Sequence, residues 1–121
     1  MVDDEQEFLE LMQSRLTKRG FSVLTAIDGS QALAKVAKNL KGDPSEMIDV
    51  IIMDVRMPGM DGLVTLREMQ KIAPQIPVIL LTGHAAVGVA TEGLELGAFD
   101  YMLKPVQIND LINKMEEAVQ G

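Results

Sequence analysis

VIIMDVRMPGMDG, residues 50 to 62, runs four apolar residues into Asp54, then passes through Arg56, Pro58 and Gly59 to Asp61 and Gly62. Apolar residues that fail to alternate over strand length mark a strand covered on both faces. VILLT, 78 to 82, repeats the pattern and ends on Thr82. Two such strands, each closing on a polar residue, set the frame for the rest of the chain.

Working outward, helical and extended periods alternate. Phe8, Leu9, Met12 and Leu16 recur at three- and four-residue spacing, which predicts a helix over 5–19 ended by Gly20. FSVLTAI, 21 to 27, alternates and carries β-branched residues, so it reads as a strand. Ala32, Leu33, Val36, Ala37 and Leu40 predict a second helix over 30–40, opened by a turn and cap at Asp28-Gly29-Ser30. KGDPSE is a loop, and DVIIM is the buried strand. Leu63, Leu66, Met69 and Ile72 mark a third helix closed by APQIP. A weaker, Gly- and Ala-bearing helix over 85–96, a short strand FDYML and a last helix over 108–119 complete the order. In that last helix Leu111, Ile112, Met115 and Val119 are expected to face inward.

Alternating strands and helices imply an α/β doubly wound parallel sheet with helices on both faces, because right-handed crossovers put them there. Ligand crevices in such sheets lie beyond the carboxyl ends of the strands. That rule gathers Asp3, Asp4, Asp54, Thr82 and Lys104 on one edge.

Composition narrows the chemistry. The 121 residues, 47% hydrophobic, suit one domain over 1–121 with one core. The net charge of −7 repels nucleic acid and anionic membrane surfaces, so neither is an expected partner. With no cysteine there is neither a disulfide framework nor a thiolate metal site. No apolar run reaches membrane-spanning length, and Met1 is followed by VDDEQE rather than a basic leader, so a soluble cytoplasmic protein is expected.

Three carboxylates packed together repel unless a cation neutralises them. Oxygen ligands without His or Cys select Mg²⁺, or Mn²⁺, over zinc. With the metal offsetting part of the charge, Asp54 can attack phosphorus and carry an aspartyl phosphate. Lys104 can then pair with a phosphoryl oxygen and the Thr82 hydroxyl can donate to another, while Gly59 and Gly83 leave room for the donor. Asp61, before Gly62 and a helix, reads as a cap and stays outside the site. The single histidine, His84, reads as a loop residue bordering it, and the nine methionines as flexible core filler.

VDDE at 2–5, IIMDVRMPGMDG at 51–62, VILLTGH at 78–84 and GAFDYMLKP at 97–105 stand in an order that closely resembles the receiver domains of two-component response regulators. The wording of LTGH and GAFDYMLKP is most similar to receivers of nitrogen-regulation-type transcription activators. The resemblance implies a flavodoxin-like (CheY-like) sheet of order 2-1-3-4-5. It makes Asp54 the phosphoacceptor, Asp3 and Asp4 the Mg²⁺-binding pair, and the backbone carbonyl of Arg56 a further metal ligand. Thr82 and Tyr101 become the switch pair and Lys104 the phosphate contact, its peptide to Pro105 often cis in the family.

A histidine kinase or phosphotransfer protein is the implied donor. A downstream protein or fused output domain is the implied target, through the face of the fourth helix, fifth strand and fifth helix. A homodimer, formed by strand exchange, is a further option. The chain would catalyse its own phosphotransfer and dephosphorylation while serving mainly as a signalling protein. Arg56 and His84, each second after a key residue, are bulky enough to obstruct attacking water, so slow phosphate loss is expected. A partner-binding receiver without phosphotransfer is the first alternative. An aspartyl-phosphate phosphohydrolase is disfavoured because Arg56 stands where its second carboxylate belongs. A flavin carrier is disfavoured by 3% aromatic content. The family places a strand of about five residues before the acidic pair. Only Met1 and Val2 stand here, so the first strand reads as truncated, leaving a gap for an earlier start, a partner chain or rearranged pairing to fill, with weakened metal binding and phosphorylation if nothing fills it.

Overall fold

The computed structural model describes residues 1–56 and 62–120. Helices α1 (Gln6–Lys18) and α2 (Gly29–Leu40) precede strand β1 (Ile51–Asp54), after which α3 (Gly62–Ile72), β2 (Val78–Thr82), α4 (Val87–Glu95), β3 (Asp100–Leu103) and α5 (Ile108–Gln120) alternate. The strands form a parallel sheet in the order β1-β2-β3, with Ile51 opposite Val78 and Leu80 opposite Tyr101. Every residue of β1 and β2 is buried, as their unbroken apolar runs require.

The two-residue side-chain period sends each strand into two cores. Ile51, Met53, Val78 and Leu80 join Val36 of α2 and Leu66 and Met69 of α3 on one face. Ile52, Ile79 and Leu81 join Met12 and Leu16 of α1 and Leu111 and Met115 of α5 on the other. Asp28 caps α2 by accepting a hydrogen bond from the Gln31 amide.

Three expectations are corrected. FSVLTAI forms no regular strand: within it only Ala26 makes a bridge, to Val2. A strand needs a partner along its length, and the segment beside it offers only Met1 to Asp3. Met1 donates to the Leu24 carbonyl, Ala26 donates to that of Met1, and Asp3 donates to that of Ala26. Beyond this short ladder lies an open groove of about 860 Å³ lined by Phe21, Val23, Leu24, Ile52, Met115 and Val119.

The other two corrections fall in last helical turns, where spacings of three and four residues fit the 3.6 period equally. Ile72 and Val119 are 40% and 55% exposed, while Ala73 and Ala118 take the inward places at 1% and 5%. Ala73 and Ala118 each join the core on their own side of the sheet.

Val2 also bridges Met53, its amide donating to the Ile52 carbonyl and its carbonyl accepting from the Asp54 amide. The acidic residues after Val2 are therefore tied on both sides to backbone. Burial of the Met1 amine and repulsion from Lys35 lower its pKa to about 6 from its ordinary 8.0. Between those values the unfolded chain binds more protons than the folded one, so stability rises with pH across that interval and is flat above it. Urea unfolding should show a gain of about 1 kcal/mol from pH 6 to 8. Acetylating the amine should abolish the slope.

Gly62 opens α3 where a Cβ would stand 2.6 Å from the Cα and carbonyl oxygen of Val55. Gly62→Ala is expected to cost about 1–3 kcal/mol in denaturant unfolding, because the contact is with backbone that cannot turn aside.

Candidate functional site

Asp54 is the last residue of β1, so its backbone is fixed while its side chain emerges at the sheet's carboxyl edge. One carboxylate oxygen accepts from the Arg56 amide at 3.0 Å, and the other from Lys104 Nζ at 3.0 Å. Asp3 is arranged alike. Its Oδ1 accepts from the Glu5 amide at 2.9 Å and its Oδ2 from Lys104 Nζ at 2.8 Å. Asp3 and Asp54 are buried and Asp4 is exposed. One carboxylate oxygen from each of the three lies within 4.8 Å of the others.

Lys104 follows β3, and its backbone amide donates to the Thr82 carbonyl at 2.8 Å, which sets the root of the side chain. Burial opposes the charge of its ammonium, but hydrogen bonds and attraction from Asp3 and Asp54 outweigh it and hold the pKa above the ordinary lysine value. The Lys104-Pro105 peptide is cis. Two contacts escaped the sequence reading. Glu5 places Oε1 3.6 Å from Lys104 Nζ, and the Phe8 ring centroid lies 4.6 Å from it. The available signal was the position of Phe8, about one helical turn beyond the acidic pair.

Thr82 is buried at the end of β2, its hydroxyl donating to the Gly83 carbonyl at 3.0 Å. Tyr101 is half-buried on β3 and packs against the core shared by α2, α3 and α4. Arg56 and His84 are exposed, His84 opening a 3₁₀ turn, His84–Ala86, before α4. The expectations for Gly59 and Asp61 lie outside the described residues. The edge thus joins Asp3, Asp4, Asp54 and Lys104 in one cluster, with Thr82 joined to Lys104 through backbone.

Oxygen donors at this spacing fit a hard divalent cation such as Mg²⁺, which takes one or two carboxylates and retains waters. A match to the response regulator receiver domain covers residues 1–116. This chain belongs to that family.

The chain is 35% identical over 119 residues to the transcriptional regulatory protein ZraR of Escherichia coli, covering 98% of this chain and 25% of that one. It is 32% identical to the C4-dicarboxylate transport transcriptional regulatory protein DctD of Rhizobium meliloti, covering 98% and 24%. The chain thus spans about a quarter of the length of these curated relatives. A response regulator receiver domain protein from Clostridium thermocellum superposes with a TM-score of 0.90 at 36% identity, covering 98% of this chain and 90% of that one. The receiver domain of NtrX from Brucella abortus gives 0.85 at 30%, covering 98% and 95%. The CheY-like α/β fold is thereby shared, and the resemblance to receivers of two-component systems holds. Among the described residues no helix is long and apolar enough to cross a membrane.

Lys104→Met would leave the buried Asp3 carboxylate without its cation. A loss of about 1–3 kcal/mol at pH 7 is expected. Urea unfolding of the two chains at pH 7 would measure it.

Proposed function

We propose that this receiver, a single domain over 1–121, is a phosphorylation-operated switch with Asp54 as phosphoacceptor. The observation that carries the reading is the juxtaposition of Asp3, Asp4 and Asp54, with Lys104 Nζ bonded to two of them. Asp3, Asp4, Asp54 and the carbonyl of Arg56 would hold Mg²⁺. When bound, the ion supplies positive charge to oxygens that develop charge during phosphoryl transfer.

The chain's own residues provide the remaining steps. A histidine kinase, or a phosphotransfer protein, presents a phosphohistidine. An Asp54 carboxylate oxygen forms a bond to phosphorus as the phosphorus–nitrogen bond breaks, and the imidazole nitrogen keeps the electron pair. Lys104 gives up its Asp54 oxygen for a phosphoryl oxygen, exchanging one charge-assisted hydrogen bond for another. Thr82 Oγ1 turns from the Gly83 carbonyl toward the phosphoryl group, and Tyr101 moves into the space vacated. The altered face of α4, β3 and α5 then speaks to a downstream protein or a fused output domain, or to a second copy. A cytoplasmic location agrees with a kinase donor. A receiver that only binds partners has less support, because Asp3, Asp4, Asp54 and Lys104 gather at one edge.

Intact mass after incubation with acetyl phosphate and Mg²⁺ tests the reading. A single phosphoryl adduct is expected, absent in Asp54→Asn and absent with EDTA. No adduct on the unaltered chain would overturn it. Arg56 and His84, both exposed beside the site, are expected to shield the acyl phosphate from water. The adduct should therefore persist for minutes or longer, with decay accelerated in the Arg56→Ala, His84→Ala double variant. Decay within seconds in the unaltered chain would contradict that shielding.

A further inference from the structure

Among the described residues, three carboxylates and one uncharged ring stand close to the ammonium of Lys104. Asp3 Oδ2 at 2.8 Å, Asp54 Oδ2 at 3.0 Å and Glu5 Oε1 at 3.6 Å surround it, with the Phe8 ring centroid 4.6 Å away. Three N–H donors are available. Asp3 and Asp54 accept the two hydrogen bonds, which leaves the third side of the ammonium to Glu5 and the ring.

Those two neighbours act in opposite directions. Glu5 is the exposed partner, its side chain 66% accessible, and an ammonium that followed it would swing out of the edge toward water. Phe8 is half-buried on α1 and packs with the core of α1 and α5, so its ring is anchored where Glu5 is not. A lysine stem with four methylenes has rotamer freedom to take either course. A ring face within about 6 Å attracts a cation, more strongly as water is removed, and the Lys104 side chain is already only 20% exposed.

We infer that Phe8 is a positioning residue: its ring holds the Lys104 ammonium over Asp3 and Asp54 and keeps it from following Glu5 out toward water. The ring touches no reacting atom and acts through the lysine. As a phosphoryl group arrives on Asp54, Lys104 must exchange one oxygen partner for another without leaving the edge. A neutral, anchored face allows that exchange because it does not compete for the N–H donors. This part of the inference rests on the phosphotransfer reading, whereas the placement of the lysine does not.

The test compares Phe8→Leu, which keeps an apolar side chain but loses the ring face, with Phe8→Tyr, which keeps both. The first readout is the proton shift of the Lys104 ε-methylene by NMR, with Lys104→Arg used for assignment. In the unaltered chain and in Phe8→Tyr the ring current should displace that shift, and in Phe8→Leu the displacement should vanish. The second is the rate of Asp54 phosphorylation by acetyl phosphate at saturating Mg²⁺. About a three- to tenfold loss is expected in Phe8→Leu, with the Tyr variant near the original rate.

An undisplaced lysine shift in the unaltered chain would overturn the inference even if Asp54 is phosphorylated, and this readout stands should Phe8→Leu fail to fold. A displaced shift that survives in Phe8→Leu would overturn it too, as would a folded Phe8→Leu that is phosphorylated at the original rate. A displaced shift lost in Phe8→Leu, in a chain that takes no phosphoryl group, would support the placement and defeat only the phosphotransfer reading.

Discussion

Bringing carboxylates together beside a buried sheet edge is costly, and the ion pairs of Lys104 make the arrangement tenable. Asp3 is only 1% exposed and Asp54 8%. An ionised carboxylate in such a place must be hydrogen-bonded and opposed by charge. Backbone amides satisfy one oxygen of each, those of Glu5 and Arg56, and a single ammonium bonds the other oxygen of both. Among the described residues no other cation has an ion pair with either aspartate. Lys104 thus offsets part of the charge of the three clustered carboxylates, leaving Asp4 exposed at the edge.

The rest of the fold fixes the three groups that must meet. Asp3 follows Val2, whose amide and carbonyl are both engaged by the Ile52–Asp54 backbone. Asp54 ends β1, and Lys104 follows β3, with β2 between them hydrogen-bonded to both strands. The burial of β2 on both faces therefore does more than stabilise. It sets the lateral distance that the long lysine side chain must cross to reach β1, about two strand spacings or ~9.6 Å. Asp54 would not serve from a strand of uncertain register, because a one-residue slip turns every side chain to the other face.

What was legible in the sequence divides along the same physical line. Ile51 to Met53 and Val78 to Leu81 announced themselves because both faces are apolar, and the residues ending those strands followed from the fold rule alone. Phe21 to Ile27 misled because alternation records a side-chain preference but says nothing about a ladder partner, and the partner here is essentially Val2. Ile72 and Val119 misled because a 3.6 period cannot choose between the third and fourth residue in a final turn, where Ala73 and Ala118 took the inward places. Glu5 and Phe8 were missed for another reason. Their contacts with Lys104 span most of the chain, and the one local sign was the place of Phe8 a helical turn beyond the acidic pair.

The fourth helix shows what composition alone leaves out. Glycines and alanines in residues 85–96 lower helix propensity, which suits an element expected to move. Two glycines within α4 nevertheless differ. Gly88 has open space where a side chain would lie, so its absence of a side chain meets only the propensity argument. At Gly93 an added Cβ would collide with Leu80 Cδ1 and approach Leu63 Cδ2 at 3.4 Å. That glycine lets the helix lie close against β2, the strand that ends in Thr82. Motion of α4 would therefore not be free fraying but displacement of a surface packed against the strand that carries Thr82. A tight, discrete contact of this kind transmits a shift that a loose one would absorb.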